Sequence, residues 1–290
     1  MPSRIFESSR RTVAVLLSLA VLTSHCAHGH EHAQRETVEC DPASIVCAAA
    51  NGRMRDVRDM IARGADVNRA DHRGDTALYW ASFRQFADIA ALLIASGARD
   101  SLVFAAARGD RAAVERFFVT RVPIDRPAHD GKTALIWAAC KNHIDIVTLL
   151  VDRGARINIV DRDGITALGH AIASNRVSVA KLLLDRGADP NGLVEDDRRI
   201  TALMYAVYNN MTGTMRMMIA RGVDLNARAA DGRTALMEAC ELGREDAVRL
   251  LIDAGASIHA RARNGATALS VARGNAAIER LLRAAGAREN

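Results

Sequence analysis

The chain has 290 residues, 49% hydrophobic but only 4% aromatic, so its core must be assembled from Ala, Leu, Val and Ile. Its formal net charge is +5, carried almost entirely by arginine, since Lys132, Lys141 and Lys181 are the only lysines. Removing residues 1–27 takes away three arginines and one glutamate and leaves +3, too small a charge to argue for a nucleic-acid partner.

At the front of the chain, Arg4, Arg10 and Arg11 precede an uninterrupted apolar run over 13–22. A membrane-spanning helix needs roughly 20 apolar residues, so this run is too short to anchor the chain. A basic segment followed by a short apolar run reads as a secretory signal over residues 1–29. Cleavage would follow Gly29, with Ala27 and Gly29 as the small residues, or fall a few positions earlier. Ser9-Arg10-Arg11 resembles a twin-arginine start, but Thr12-Val13 departs from that pattern. Leu22-Thr23-Ser24-His25-Cys26 is loosely similar to a lipoprotein box, with His25 where a small residue is wanted. The expected location is a bacterial periplasm, with the extracellular space as the alternative and no stable membrane anchor after cleavage. Residues 30–38 read as a linker. His28, His30 and His32 fall on one side of an extended chain and could hold Zn²⁺ or Cu²⁺, although a flexible polar linker is the simpler account.

From residue 39 onward the sequence repeats. Thr-Ala-Leu stands at 76–78, 133–135, 166–168, 201–203, 234–236 and 267–269, and a glycine recurs at Gly64, Gly97, Gly154, Gly187, Gly222, Gly255 and Gly286. The spacing is mostly close to 33 residues, the signature of a stacked array of one supersecondary unit. The first unit (about 39–69) opens on Asp41-Pro42, which suits an N-cap and a first-turn proline. In the second, Asp71-His72-Arg73-Gly74-Asp75-Thr76-Ala77-Leu78 forms a finger and helix start. Ile89-Ala90-Ala91-Leu92-Leu93-Ile94 follows as an outer helix ended by Gly97-Ala98. The third (about 100–126) is short, lacks the finger, and has Val122 in place of the glycine. The sixth carries a two-residue insertion around Val194-Glu195-Asp196-Asp197, and the eighth is trimmed between its helices. Threonine at each finger exit can cap the next helix, and glycine at the outer-helix end permits a left-handed cap.

These residues resemble an ankyrin-repeat protein across about 39–290. The resemblance implies an all-α solenoid of about eight stacked helix-turn-helix units with β-turn fingers. The sequence departs from the family in having Ala for Pro in Thr-Pro-Leu-His, and it lacks the following His. In such arrays the partner lies across the finger tips and the exposed edge of the inner helices. Carried onto this chain residue by residue, one column reads Asn51, Arg84, Arg108, Lys141, Ser174, Asn209 and Leu242, with Phe83, Cys140, Tyr208 and Glu241 in the column beside it. Arg84, Arg108 and Lys141 would form a cation ladder at intervals of about 10 Å. The expected partner-binding residues are Arg73, Asp75, Phe83, Arg84, Arg108, Lys132, Lys141, Arg162, Tyr208, Asn209, Arg233 and Glu241. A protein with an acidic patch would bind repeats two to four, while Glu195-Asp196-Asp197 could steer a basic partner to repeats five and six. A solvated polar face is the alternative reading. Trp80 and Trp137 occupy an apolar inner-helix position and are expected in the core.

Cys140 and Cys240 lie three repeats apart, roughly 30 Å, and cannot bridge each other. Cys240 is expected as a buried thiol, whereas Cys140 falls on the exposed inner surface, where it could be reactive, although an inert structural thiol is the simpler account. Cys40 and Cys47 could form a disulfide in an oxidising compartment, although a helix begun at Asp41 would separate them by about 9 Å. No catalytic array is visible. There is no phosphate-cradling glycine loop, no Gly-x-Ser-x-Gly and no His-Glu-x-x-His, and His170 reads as a core histidine. The expectation is a non-catalytic scaffold without a cofactor. It is similar to exported ankyrin proteins of Gram-negative bacteria, some of which support periplasmic antioxidant enzymes. A secreted effector that binds host proteins, and a metal or redox accessory protein, stand as alternatives.

Overall fold

Short inner helices alternate with outer helices of nine residues, and the sequence marks both ends of each. The computed structural model describes residues 41–288 apart from Arg73, Arg121, Asp196 and Asp197. The expected signal segment, the linker and His28, His30 and His32 lie outside the described residues. The chain divides into two units, Met1–Ala155 and Arg156–Asn290.

The first unit holds four inner and outer pairs. They are α1 (Ile45–Ala50) with α2 (Met54–Ala62), α3 (Ala77–Phe83) with α4 (Ala87–Ala95), α5 (Leu102–Arg108) with α6 (Arg111–Val119), and α7 (Ala134–Cys140) with α8 (Ile144–Asp152). The second unit holds α9 (Ala167–Ala173) with α10 (Val177–Asp185), then a strand pair, β1 (Leu193–Glu195) and β2 (Ile200–Thr201). It continues with α11 (Ala202–Tyr208) and α12 (Thr212–Ala220), α13 (Ala235–Glu241) and α14 (Glu245–Asp253), and α15 (Ala268–Val271) and α16 (Ala276–Ala284).

The hydroxyls of Thr76, Thr133, Thr166, Thr201 and Thr267 each accept a hydrogen bond from a first-turn backbone N–H, satisfying a donor the helix leaves open. Thr234 occupies the same place without making that bond. The Asp41-Pro42 expectation is corrected. The helix begins at Ile45 and Ser44 caps it, because the Ser44 N–H closes a turn on the Asp41 carbonyl at 2.9 Å before the helix starts. The turn between inner and outer helix places one residue in the left-handed region in every repeat. That residue is Gly or Asn everywhere except at Gln85 (φ 62), whose side-chain amide donates to the Ala107 carbonyl at 2.5 Å.

Alanine-rich inner helices let the layers approach closely, and leucines of the outer helices fill the space between. The second leucine of each recurring pair, Leu93, Leu150, Leu183, Leu251 and Leu282, is fully buried. Each contributes roughly 1.5–3 kcal/mol by leaving water.

Two repeats depart from the pattern. Repeat 3 has no finger of its own: the chain passes from the end of α4 at Ala95 to the start of α5 at Leu102 by a short turn. Repeat 6 uses its insertion to pair β1 with β2 antiparallel, Leu193 opposite Thr201. The Leu193 carbonyl then comes so near α9 that a Cβ on Gly169 would lie 2.6 Å from it.

Cys47 and Cys140 are both disulfide-bonded, and Cys240 is free and buried. Cys47 lies on α1 and Cys140 on α7, with α3 and α5 packed in sequence between them, so they are too far apart to bond to each other. Their partners, and the expected Cys40–Cys47 bond, fall outside the described residues. Cys140 is wholly buried, which corrects the reading of a reactive thiol on the exposed inner surface. Burial pushes the Cys240 thiol up to about 12, leaving it neutral and inert.

Candidate partner-binding surface

In the first unit the missing finger of repeat 3 decides the local geometry. With nothing between them, the fingers of repeats 2 and 4 meet: His129 Nε2 stands 2.6 Å from Asp75 Oδ1, which is nearly buried. Aromatic rings gather over α5, whose Ala105, Ala106 and Ala107 leave room for them. Tyr79 and Phe83, one helical turn apart on α3, stack in parallel at 6.2 Å. His129 meets Tyr79 edge-on at 4.8 Å, Trp137 meets Phe83 at 5.3 Å, and Phe104 meets Tyr79 at 5.9 Å. Burial, with Asp130 and Asp75 adding to it, pushes the Tyr79 phenol above its ordinary pKa, so it stays a neutral hydroxyl. Tyr79, Phe83 and Arg84 are partly buried and keep an edge open on this face. Trp137 is buried as expected, and Trp80 is half-buried.

The expected cation ladder does not form as an open column. Arg108 turns inward, donating to both carboxylate oxygens of Asp100 at 2.8 and 2.6 Å and to Asp110 at 3.2 Å, and its side chain is 7% exposed. Burial alone would lower the Arg108 pKa, but the two carboxylates outweigh it and raise it. Lys141 is buried with its ammonium 4.4 Å from the Phe83 ring centre and 5.6 Å from that of Trp137. Lys132 is buried too, 5.9 Å from the Trp137 ring and 3.9 Å from Asp130. These cations stiffen the aromatic cluster from beneath. Arg84 keeps its place on the face, and burial lowers its guanidinium pKa. Arg73 lies outside the described residues.

The second unit gathers Tyr208, Arg233, Glu238 and Glu241 at the edges of α11 and α13. Arg233 pairs with Glu241 and brings Nε to 2.7 Å from Glu238 Oε1, though without the alignment of a hydrogen bond. Burial of the Glu238 carboxyl therefore outweighs the arginine and, with Glu241 adding repulsion, raises it to about 7. Glu238 was not anticipated from the sequence, because most other inner helices carry an apolar residue at its position, His170 of α9 excepted. Asn209 is exposed and donates its side-chain amide to the Tyr205 carbonyl at 3.1 Å, while Arg162 is exposed on a finger apart from this group. His170 is a satisfied core histidine, 2.7 Å from the buried Asp161 carboxylate. Among the described residues no group of three or more His, Cys, Asp or Glu side chains is placed to hold a metal ion. No helix among them is long and apolar enough to cross a membrane.

Short inner helices, most of them opened by threonine, paired with nine-residue outer helices and joined by fingers, define a helical-repeat protein. The family model for ankyrin repeats in three copies matches residues 102–194 and 190–262, and the model for ankyrin repeats in many copies matches residues 45–94. The chain belongs to the ankyrin-repeat family, whose repeats typically mediate protein–protein interaction. Among curated proteins none matches it by sequence. Two solved structures are similar. One is an ankyrin repeat domain from Acinetobacter baumannii, 32% identical, aligned over 64% of this chain and 98% of that one with a TM-score of 0.60. The other is a chain from the complex of a predatory endopeptidase of Bdellovibrio bacteriovorus with an immunity protein. It is 28% identical over 64% of this chain and 98% of that one, with a TM-score of 0.58.

Proposed function

We propose that this protein is a non-catalytic scaffold that seats a protein partner on the first unit, against Tyr79, Phe83, Arg84 and His129. The observation that carries the reading is the parallel Tyr79–Phe83 stack, left partly open to solvent while Trp137, Phe104 and Lys141 hold it in place. Aromatic and arginine side chains dominate interface energies, and rings already fixed lose little freedom on binding. Because Arg108, Lys132 and Lys141 are engaged inside the protein, the surface recognises its partner through rings first and charge second.

In this reading the scaffold works in the periplasm and supports an enzyme of that compartment, such as an antioxidant one. The basic and apolar leader supports the compartment. The similarity to a chain from an endopeptidase–immunity protein complex supports an enzyme as partner. The test is affinity capture from periplasmic extract with the full chain beside its Tyr79→Ala and Phe83→Ala variants, each checked for unchanged thermal unfolding. One enzyme retained by the native chain and lost from both variants is the expected result. Equal retention by all three would remove the surface, and recovery of the protein from the medium alone would favour a secreted effector.

A further inference from the structure

The second unit carries an open groove of about 770 Å³, within the range of roughly 300–1,000 Å³ typical of ligand clefts. Its lining mixes apolar and polar groups, and most of its charged side chains are cationic. Arg199, Arg228 and Arg263 line it, and Asp224 is the one acidic residue among the described residues that do so. Arg228 is fixed in place, donating from Nη1 to the Arg261 carbonyl at 2.7 Å and to the Gly232 carbonyl at 3.4 Å. Arg199 adopts φ 53, a left-handed conformation that residues other than Gly and Asn enter at a cost and that the surrounding structure must hold.

The frame of the groove is tied together by the backbone. The Ala230 N–H donates to the Arg198 carbonyl at 2.7 Å, and the Arg263 N–H donates to the Asp231 carbonyl at 2.8 Å, joining the fingers of repeats 6, 7 and 8. Gly232 lies in this seam with φ +84, and a Cβ there would stand 2.9 Å from the Arg263 nitrogen. The floor is equally fixed. The Asn191 side-chain oxygen accepts the Asp224 N–H at 2.8 Å, and that of Asn226 accepts the Ser257 N–H at 2.8 Å.

We infer that this groove is a second binding site, distinct from the aromatic surface of the first unit, that takes an acidic segment of a protein partner. Three guanidinium groups on a rigid frame suit successive carboxylates, which guanidinium recognises through paired hydrogen bonds. Among the described residues of the lining there is no aromatic ring on which a base could stack, and the chain's net charge of +5 is small, both of which disfavour a nucleic acid. The site uses none of the residues of the first-unit surface, so the two ideas can fail separately.

The test titrates the full chain into a fluorescein-labelled peptide of alternating Glu and Ala, read by fluorescence anisotropy. A peptide of alternating Gln and Ala and a single-stranded DNA oligonucleotide serve as comparisons. Saturable binding of the Glu peptide alone is expected, weakening as salt rises because the arginines are exposed. The Arg199→Glu, Arg263→Glu double variant should lose at least about tenfold in affinity with thermal unfolding unchanged. Gly232→Ala, which wedges the seam open, should weaken binding while Arg199 and Arg263 remain. Equal binding by the double variant, no saturable binding of the Glu peptide, or tighter binding of the oligonucleotide would each overturn the inference.

Discussion

Repeats 3 and 6 depart from the same pattern in opposite directions. Repeat 3 loses its finger, and the fingers on either side close over the gap through Asp75 and His129, drawing Tyr79, Phe83, Phe104 and Trp137 together. Repeat 6 gains two residues, which lengthen its finger into the β1–β2 pair and bring Arg199 to the rim of an arginine-bearing groove. A deletion therefore produces an aromatic surface and an insertion produces a charged one, while the helices around each stay regular. Finger length, rather than the helices, sets the chemistry each unit presents.

The largest effect should come from removing the internal ion pairs of repeat 3. Arg108→Ala strands Asp100, whose side chain is only 17% exposed, and is expected to cost about 3–5 kcal/mol in denaturant unfolding of the full chain. A loss below about 1 kcal/mol would mean that the guanidinium is dispensable and that the shortened repeat holds itself together by packing alone.

The next is a pH effect in the second unit. Glu238 has its pKa raised from 4.5 to about 7, so the fold favours the neutral acid. Its contribution to stability is complete below about pH 4.5 and is lost as the pH rises through 7. Glu238→Gln keeps the neutral form at every pH. It should flatten the thermal stability profile between pH 5 and 8 and raise stability at pH 8 by up to about 3 kcal/mol. A profile as steep as that of the native chain would mean that Arg233 keeps Glu238 ionised after all.

The smallest concerns the insertion. Gly169→Ala sets a methyl group against the Leu193 carbonyl and the Ile165 side chain, 2.6 and 2.8 Å away, and should cost about 2 kcal/mol. The same change should weaken binding of the acidic peptide, because β1 leads directly to the Arg199 turn. Unchanged stability would show that the hairpin can lift off α9 without cost.

The regular parts of the fold were readable from sequence because each carries a local signal. Threonine at the finger exit marks the helix start, and glycine seven times over marks the outer-helix end in the left-handed conformation. The short third repeat was readable too, but its structural consequence was not. That Asp75 would reach His129 depends on two fingers separated by more than fifty residues closing on each other. The composition held a clue, since eight of the eleven aromatic residues lie between Tyr79 and Trp137. Tyr79 was missed because its place in the repeat varies freely, while Arg108 and Lys141 share a column that the family pattern leaves exposed. Asp100 and the rings of Phe83 and Trp137 draw both cations inward, and no rule based on position within a repeat anticipates that. Gly169 offered a further signal. A glycine inside an inner helix is costly unless something approaches it closely, and the insertion in the following repeat supplies the approach.

The central claim is that the surface closed over repeat 3 meets a protein partner. The most direct test is photo-cross-linking in the cells that make the protein, with a benzophenone side chain placed at Phe83 in one version and at the exposed Lys181 in another. The account predicts one discrete cross-linked species from position 83, absent from position 181 and abolished when Tyr79→Ala is added. Identical cross-linking from both positions, or none from position 83 in a correctly folded chain, would contradict it.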